Sequence, residues 1–182
     1  TKSNDGFMVY EDDPKLAADK CLRRIKRPQA IGQGMLLTDN IYRVLYDTDW
    51  WSYYPDVYYL QLDPQDKDNF TAVAPKVKYR WVFPFYRIPY WAGVILVHED
   101  GKVEDLSVEA AQKDARLNHR ILYPTWLTRT IVEAQRFDKG PFSGPFKREG
   151  KIQVPDLPGR NQMPFLTKGV DGRWYQVVST EP

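Results

Sequence analysis

Residues 76 to 85, KVKYRWVFPF, constrain the fold more than any other stretch of the chain. Val77, Tyr79, Trp81, Phe83 and Phe85 alternate there with Lys76, Lys78, Arg80 and Val82. A period of two sends successive side chains to opposite faces of an extended backbone. The segment therefore reads as a β-strand with one aromatic face and one basic, solvated face. Pro84 has no N–H to donate, which places it at an edge, a bulge or the strand's end. A chain that holds such a strand must build a sheet around it.

The flanking sequence supplies the neighbours. WAGVILVHEDGKVEDL, residues 91 to 106, reads as a hairpin turning at Asp100-Gly101. Its first arm is apolar on both faces, which predicts a central strand covered on both sides. Upstream, NIYRVLYD (40–47) and VYYLQL (57–62) read as further strands. Downstream, MPFLTKGVDGRWYQVVSTEP (163–182) reads as a second hairpin, turning at Asp171-Gly172. A lone two-stranded hairpin is marginal in water, so this one is expected to join the main sheet.

Helices are expected in three places. In DDPKLAADKCLRRIKRP (12–28), Asp13 can cap, Pro14 suits the first turn and Pro28 ends it. Ala18, Cys21, Leu22 and Ile25 would share the buried face, leaving the RRIKR basic residues in solvent. Ser107 caps a short helix, VEAAQKDARL, and Pro124 opens PTWLTRTIVEAQRF with an inward stripe of Leu127, Thr130, Ile131 and Ala134. The fold class is thus α+β: an antiparallel or mixed sheet of about five to seven strands with about three helices packed on it. A chain of 182 residues suits a single globular domain over residues 1–182. The Pro- and Gly-rich stretch at about 139–164 is expected to wrap it as an extended loop.

Composition narrows the function classes. The 26 basic and 24 acidic residues leave a net charge of +2, too balanced overall to point to nucleic acid or an anionic membrane. Cys21 is the sole cysteine and there are two histidines, so no disulfide, cysteine-based metal site or histidine-rich metal site is expected. No cofactor is expected either. The most apolar stretch, residues 81–97, contains Pro84, Arg87 and Pro89 and falls short of the roughly 20 apolar residues that span a bilayer. The chain is expected to have no transmembrane segment, and its cysteine usage leaves the compartment open.

Enzyme signatures are missing from the sequence. It has no G-x-S-x-G elbow, phosphate-binding P-loop, G-x-G-x-x-G or H-E-x-x-H. His98 and His119 lack a nucleophile in a recognisable local context. DPQDKDNF resembles a calcium loop through Asp66, Asp68 and Asn69 but lacks its glycine and distal glutamate, and reads as a solvated turn. Asn69-Phe70-Thr71 is a glycosylation sequon of the kind that arises often by chance. Lys76, Lys78, Arg80 and Arg87, with interleaved aromatics, raise a nucleic-acid reading for the basic strand 76–87. A strand points its basic residues and Tyr79 and Trp81 to opposite faces, so one face cannot supply both charge and stacking.

The richest candidate is DTDWWSYYPDVYY, residues 47–59, with six large aromatics and three aspartates. Asp47, Thr48, Asp49, Ser52, Pro55 and Asp56 are turn formers, so the cluster reads as a connection between strands. A connection cannot bury all of Trp50, Trp51, Tyr53 and Tyr54. In the plainer reading, Trp50 and Tyr54 plug the core while the others cover a sheet edge. In the functional one, Trp50, Trp51, Tyr53, Tyr54, Asp47 and Asp49 form a surface for a protein partner or a carbohydrate-like ligand. The sequence leans toward a non-catalytic binding or interaction module, an accessory or extracytoplasmic part of a larger assembly. The alternatives are a carbohydrate-active hydrolase using Asp47 and Asp49, whose carboxyl groups would have to flank a cleft, and a nucleic-acid-binding module on strand 76–87.

Overall fold

The computed structural model describes residues 6–10, 22–82, 86–118, 120, 122–134 and 164–179. The chain divides into two units, Thr1–Val77 with Ala92–Arg116, and Lys78–Trp91 with Leu117–Pro182. Eight strands in three sheets and three α-helices are found among the described residues, so the class is α+β.

The first unit begins with a two-stranded antiparallel sheet, β1 (Phe7–Tyr10) against β2 (Leu22–Ile25). The helix expected over 12–28 is therefore wrong at its second half. Leu22, on the expected buried face, is exposed, whereas Ile25 is buried. Tertiary contacts override the helical pattern here. Arg23 pairs with Asp68 at 2.8 Å, and Arg27 with Asp66 at 2.6 Å and Glu99 at 2.5 Å. The first half of that helix, with Cys21, lies outside the described residues.

NIYRVLYD is the second correction. It forms helix α1 (Ile41–Thr48), not a strand. Asn40 is the N-cap: its side-chain oxygen accepts the Tyr42 N–H at 2.9 Å. Ile41 and Leu45, four residues apart and so on one helical face, are both fully buried. The alternation of Tyr42, Val44 and Tyr46 that reads as a strand lies on the half-exposed sides of this helix.

The main sheet runs β3–β4–β5–β6, from β3 (Tyr58–Leu60), β4 (Thr71–Val82), β5 (Tyr86–Val97) and β6 (Val103–Leu106). It has four strands among the described residues, against the five to seven expected. One expected member became α1, and the C-terminal hairpin forms its own sheet. Residues 94–97 of β5 are buried throughout, as expected for a strand flanked on both edges and covered on both faces.

On one face, Ala72 and Ala74 of β4 lie with Ile95 and Val97 of β5 in a core cluster completed by Ile41, Leu45 and Tyr54. The two alanines are small, which lets α1 approach the sheet. Burying Ile41 and Leu45 there contributes about 1.5–3 kcal/mol each. Val73 and Val77 on the opposite face are buried too. β4 is thus a continuous buried run over residues 71–77, and the basic/aromatic alternation reaches the surface only beyond it. Lys76, expected in solvent, is buried and paired with Asp105.

α2 (Val108–Lys113) starts where expected. Its Ser107 N-cap oxygen accepts the Ala110 N–H at 3.2 Å.

In the second unit, α3 (Thr125–Ala134) follows Pro124 as expected, but only Leu127 of its expected stripe is fully buried, and Ile131 is exposed. β7 (Phe165–Lys168) and β8 (Trp174–Val177) form the C-terminal hairpin. It is tied down by Gln176, whose amide N–H donates to the Tyr123 carbonyl at 2.7 Å and whose amide oxygen accepts from the Thr128 hydroxyl. Side-chain bonds of this kind do for the hairpin what joining the main sheet was expected to do. Most of the expected 139–164 loop lies outside the described residues.

Candidate aromatic binding site

The 47–59 cluster begins as the end of α1. The N–H of Asp49 closes the helix on the Leu45 carbonyl at 2.9 Å. Its carboxylate then organises the next three residues. Oδ1 accepts the Trp51 N–H at 3.2 Å, and Oδ2 accepts the Ser52 hydroxyl at 2.8 Å. This is an Asx-type turn, the local bond that aspartate makes better than most residues. Lys76 Nζ lies 3.7 Å from the same Oδ2 and 2.5 Å from Asp105 Oδ1, so a buried cation holds the turn against the sheet.

Tyr53 then pairs with β4 through two backbone bonds with Val77, of 2.8 and 2.9 Å. The register slips before β3 begins. Tyr53 opposes Val77, whereas Tyr58 opposes Val73, so five steps on one strand match four on the other. The extra residue falls within the unpaired residues 54–57, in the span where Pro75 of β4 has no N–H to offer a ladder.

This scaffold separates the four aromatics sharply. Tyr54 is 3% exposed, and its hydroxyl donates to the Leu45 and Asp49 carbonyls at 3.1 and 3.0 Å. Burial, followed by the nearby Asp49 charge, pushes its phenol well above the ordinary tyrosine range. Tyr46 packs edge-on against Tyr54, with ring centroids 5.3 Å apart, and more loosely against Trp50 at 6.1 Å. Trp50 is 73% exposed and Trp51 85%, and Tyr53 is also exposed. Tyr54 alone plugs the core, whereas Trp50 lies at the surface.

The two aspartates part company in the same way. Asp49 is three-quarters or more enclosed and spends both oxygens inside the fold. Asp47 is on the exposed side of α1, facing Arg43 at 3.6 Å. The structure therefore brings Trp50, Trp51 and Tyr53 to one exposed turn and withdraws Tyr54 and Asp49 into its foundation.

The other sequence candidates resolve differently. Asp66 and Asp68 face Arg27 and Arg23, and no group of metal-ligating side chains is assembled among the described residues. The Arg27 guanidinium holds the Asp66 carboxyl below the usual carboxylate range. His98 Nε2 lies 3.0 Å from Glu104 Oε1, and its Nδ1 is 3.5 Å from the Thr71 hydroxyl. Thr71 is buried, so this Thr-His-Glu series has no hydroxyl open to a substrate. His119 lies outside the described residues.

On the basic strand, the facing problem has an answer that one strand's alternation hides. Neighbouring β5 supplies Arg87, whose guanidinium carbon sits 4.1 Å from the Trp81 ring centroid. Strand pairing could have revealed this only if the register across residues 83–85 had been readable from the sequence. No helix is long and apolar enough to cross a membrane among the described residues. The chain matches no protein-family model, no curated protein and no solved structure.

Proposed function

We propose that the chain is a non-catalytic binding module whose contact surface is centred on Trp50 and Trp51, with Tyr53 beside them. The observation that carries this reading is the exposure of two adjacent indoles on a turn fixed from below by Asp49, Tyr54 and Lys76. Large rings held in place before binding lose little conformational freedom on contact, which is why tryptophan and tyrosine dominate binding hot spots. Their flat faces fit a protein partner or a carbohydrate-like ligand.

The hydrolase alternative asks Asp47 and Asp49 to act across a cleft as an acid and a base or nucleophile. Asp49 has both oxygens engaged within the turn, and Asp47 lies on the outer side of α1 with Arg43. These positions favour the binding reading over catalysis.

The test is a Trp50→Ala/Trp51→Ala double variant assayed against a panel of soluble polysaccharides and a displayed peptide library. The expected result is at least a tenfold loss of affinity for the ligands selected by the wild type, with an unchanged unfolding midpoint. Ligands that bind both proteins equally would overturn the assignment.

A further inference from the structure

The buried cation beneath the binding turn sits in a cluster whose chemistry the turn itself does not use. Strand β4 sends Ala72, Ala74 and Lys76 to one face. The two alanines lie there in the core cluster with Ile95 and Tyr54. Asp105 of β6 comes to the same face, because it is the cross-strand partner of Ile95. The two polar side chains meet over the central strand, with Lys76 Nζ 2.5 Å from Asp105 Oδ1. A third group joins them, since Asp49 Oδ2 is 3.7 Å from the same nitrogen.

Burial sets this cluster apart from a surface ion pair. The side chains of Lys76 and Asp49 are 7% and 13% exposed. Lys102, by contrast, is 68% exposed and 3.9 Å from Glu104, a pair that water screens. Taking an ammonium and a carboxylate out of water is costly, and a reaction that removes both charges at once relieves that cost. The sheet supplies the second requirement by holding amine and carboxyl in contact. Fixed juxtaposition of two reacting groups reaches effective concentrations on the order of 10⁵ M or more, which favours condensation against the surrounding water.

We propose that Lys76 and Asp105 condense to an intramolecular isopeptide bond, with Asp49 relaying the proton. Asp49 Oδ2 takes a proton from the Lys76 ammonium and passes it to the Asp105 carboxylate. The freed amine attacks Asp105 Cγ and the C–N bond forms. The C–O bond breaks as a second proton from the nitrogen reaches the departing oxygen. Water leaves on the Asp105 side, where that side chain is 40% exposed. Of the ammonium's three hydrogens, one stays on the amide nitrogen and two depart in the water. Asp49 ends ionised as it began, and the step needs no oxidant or other co-reactant. The bond ties β4 to β6 across β5, whatever the Trp50–Trp51 turn binds.

The experiment is mass spectrometry of the denatured full chain, followed by trypsin digestion and fragment sequencing. The wild type should be lighter than its sequence by one water molecule and should resist cleavage after Lys76. Its digest should contain a branched peptide joining the segments that hold Lys76 and Asp105. Lys76→Arg, Asp105→Ala and Asp49→Asn should each show the full mass of their own sequence. Asp49→Asn is the sharpest of the three, because it keeps the Oδ1 acceptor of the turn but removes the proton relay. Circular dichroism reports whether each protein is folded. If the variants fail to fold, the wild-type mass and its branched peptide decide. A folded wild type of full mass would overturn the proposal and leave an ordinary ion pair. So would a loss of water traced to cyclisation at Asp100-Gly101 or Asp171-Gly172, or a branched peptide that survives Asp49→Asn.

Discussion

Tyr54 and Trp50 stand four residues apart and perform opposite tasks. The Tyr54 ring fills the end of the core against α1, and its hydroxyl shares its one proton between two carbonyls near the helix terminus. Removing only the hydroxyl, in Tyr54→Phe, should cost about 1 kcal/mol, because the ring remains and the acceptors lose a donor. Tyr54→Ala should cost about 3–5 kcal/mol through lost burial and the cavity left behind. Trp50→Ala and Trp51→Ala should each lie within about 0.5 kcal/mol of wild type, as their rings leave water little changed on folding. Urea denaturation of the four variants provides the check. A Trp51 effect as large as that of Tyr54 would mean the indole supports the fold and is not held for a partner. Sequence shows that four aromatics cannot all be buried in one turn. It cannot assign them, because the assignment depends on where α1 lies on the sheet.

At the scale of elements, the turns were the most legible part of the chain. His98–Lys102 and Gly169–Arg173 close in the same way. The first residue's N–H donates to the fifth residue's carbonyl, the glycine N–H donates back, and the aspartate Oδ1 accepts the fifth residue's N–H. Gly101 and Gly172 have φ of 87° and 77°, the left-handed geometry that makes Asp-Gly so strong a signal. The Ser107 cap and Pro124 start were legible for the same reason, since each acts within a few residues. What failed was periodicity over short spans. Eight residues of α1 hold only two fully buried positions, Ile41 and Leu45, too few to separate a period of 3.6 from one of 2. β2 failed because Arg23 and Arg27 find aspartates some forty residues away, which no local pattern records. One glycine within the main sheet is announced by no turn motif. Gly93 lies within β5 at φ 120°, and an added Cβ would stand 2.1 Å from the Leu106 carbonyl oxygen. Gly93→Ala should therefore cost about 2 kcal/mol or more, from backbone strain plus displacement of β6. Gly34 also has a positive φ, but open space surrounds the position, so Gly34→Ala should cost only about 1 kcal/mol. Denaturation midpoints in the reverse order would refute this account of the β5–β6 contact.

For the molecule as a whole, near-neutral charge conceals a division of labour among its ions. The acidic segment 47–69 is partly neutralised from elsewhere in its own unit, by Arg23, Arg27 and Lys76. A second cluster centres on Arg116, which bonds Asp114 at 2.7 Å and Glu104 at 2.9 Å, while His98 reaches the other Glu104 oxygen. Hydrogen bonding to Arg116 is the main reason that Glu104 and Asp114 sit below their usual carboxylate ranges. The same two partners raise the Arg116 guanidinium, so it stays charged throughout the acid range. A carboxylate with a depressed folded value binds fewer protons folded than unfolded. The stability it contributes is whole above the unfolded values of about 4, and is lost as pH falls through the lower folded ones. Wild-type stability should thus decline steeply from about pH 5 downward. Arg116→Gln should be less stable at pH 6, with a shallower acid limb, and its curve should converge on the wild type's as pH falls through the depressed folded values and both carboxyls take up protons. Urea midpoints measured at unit pH steps supply the comparison. Parallel curves would assign the acid sensitivity to other groups, Asp66 with Arg27 being the next pair to test by the same substitution.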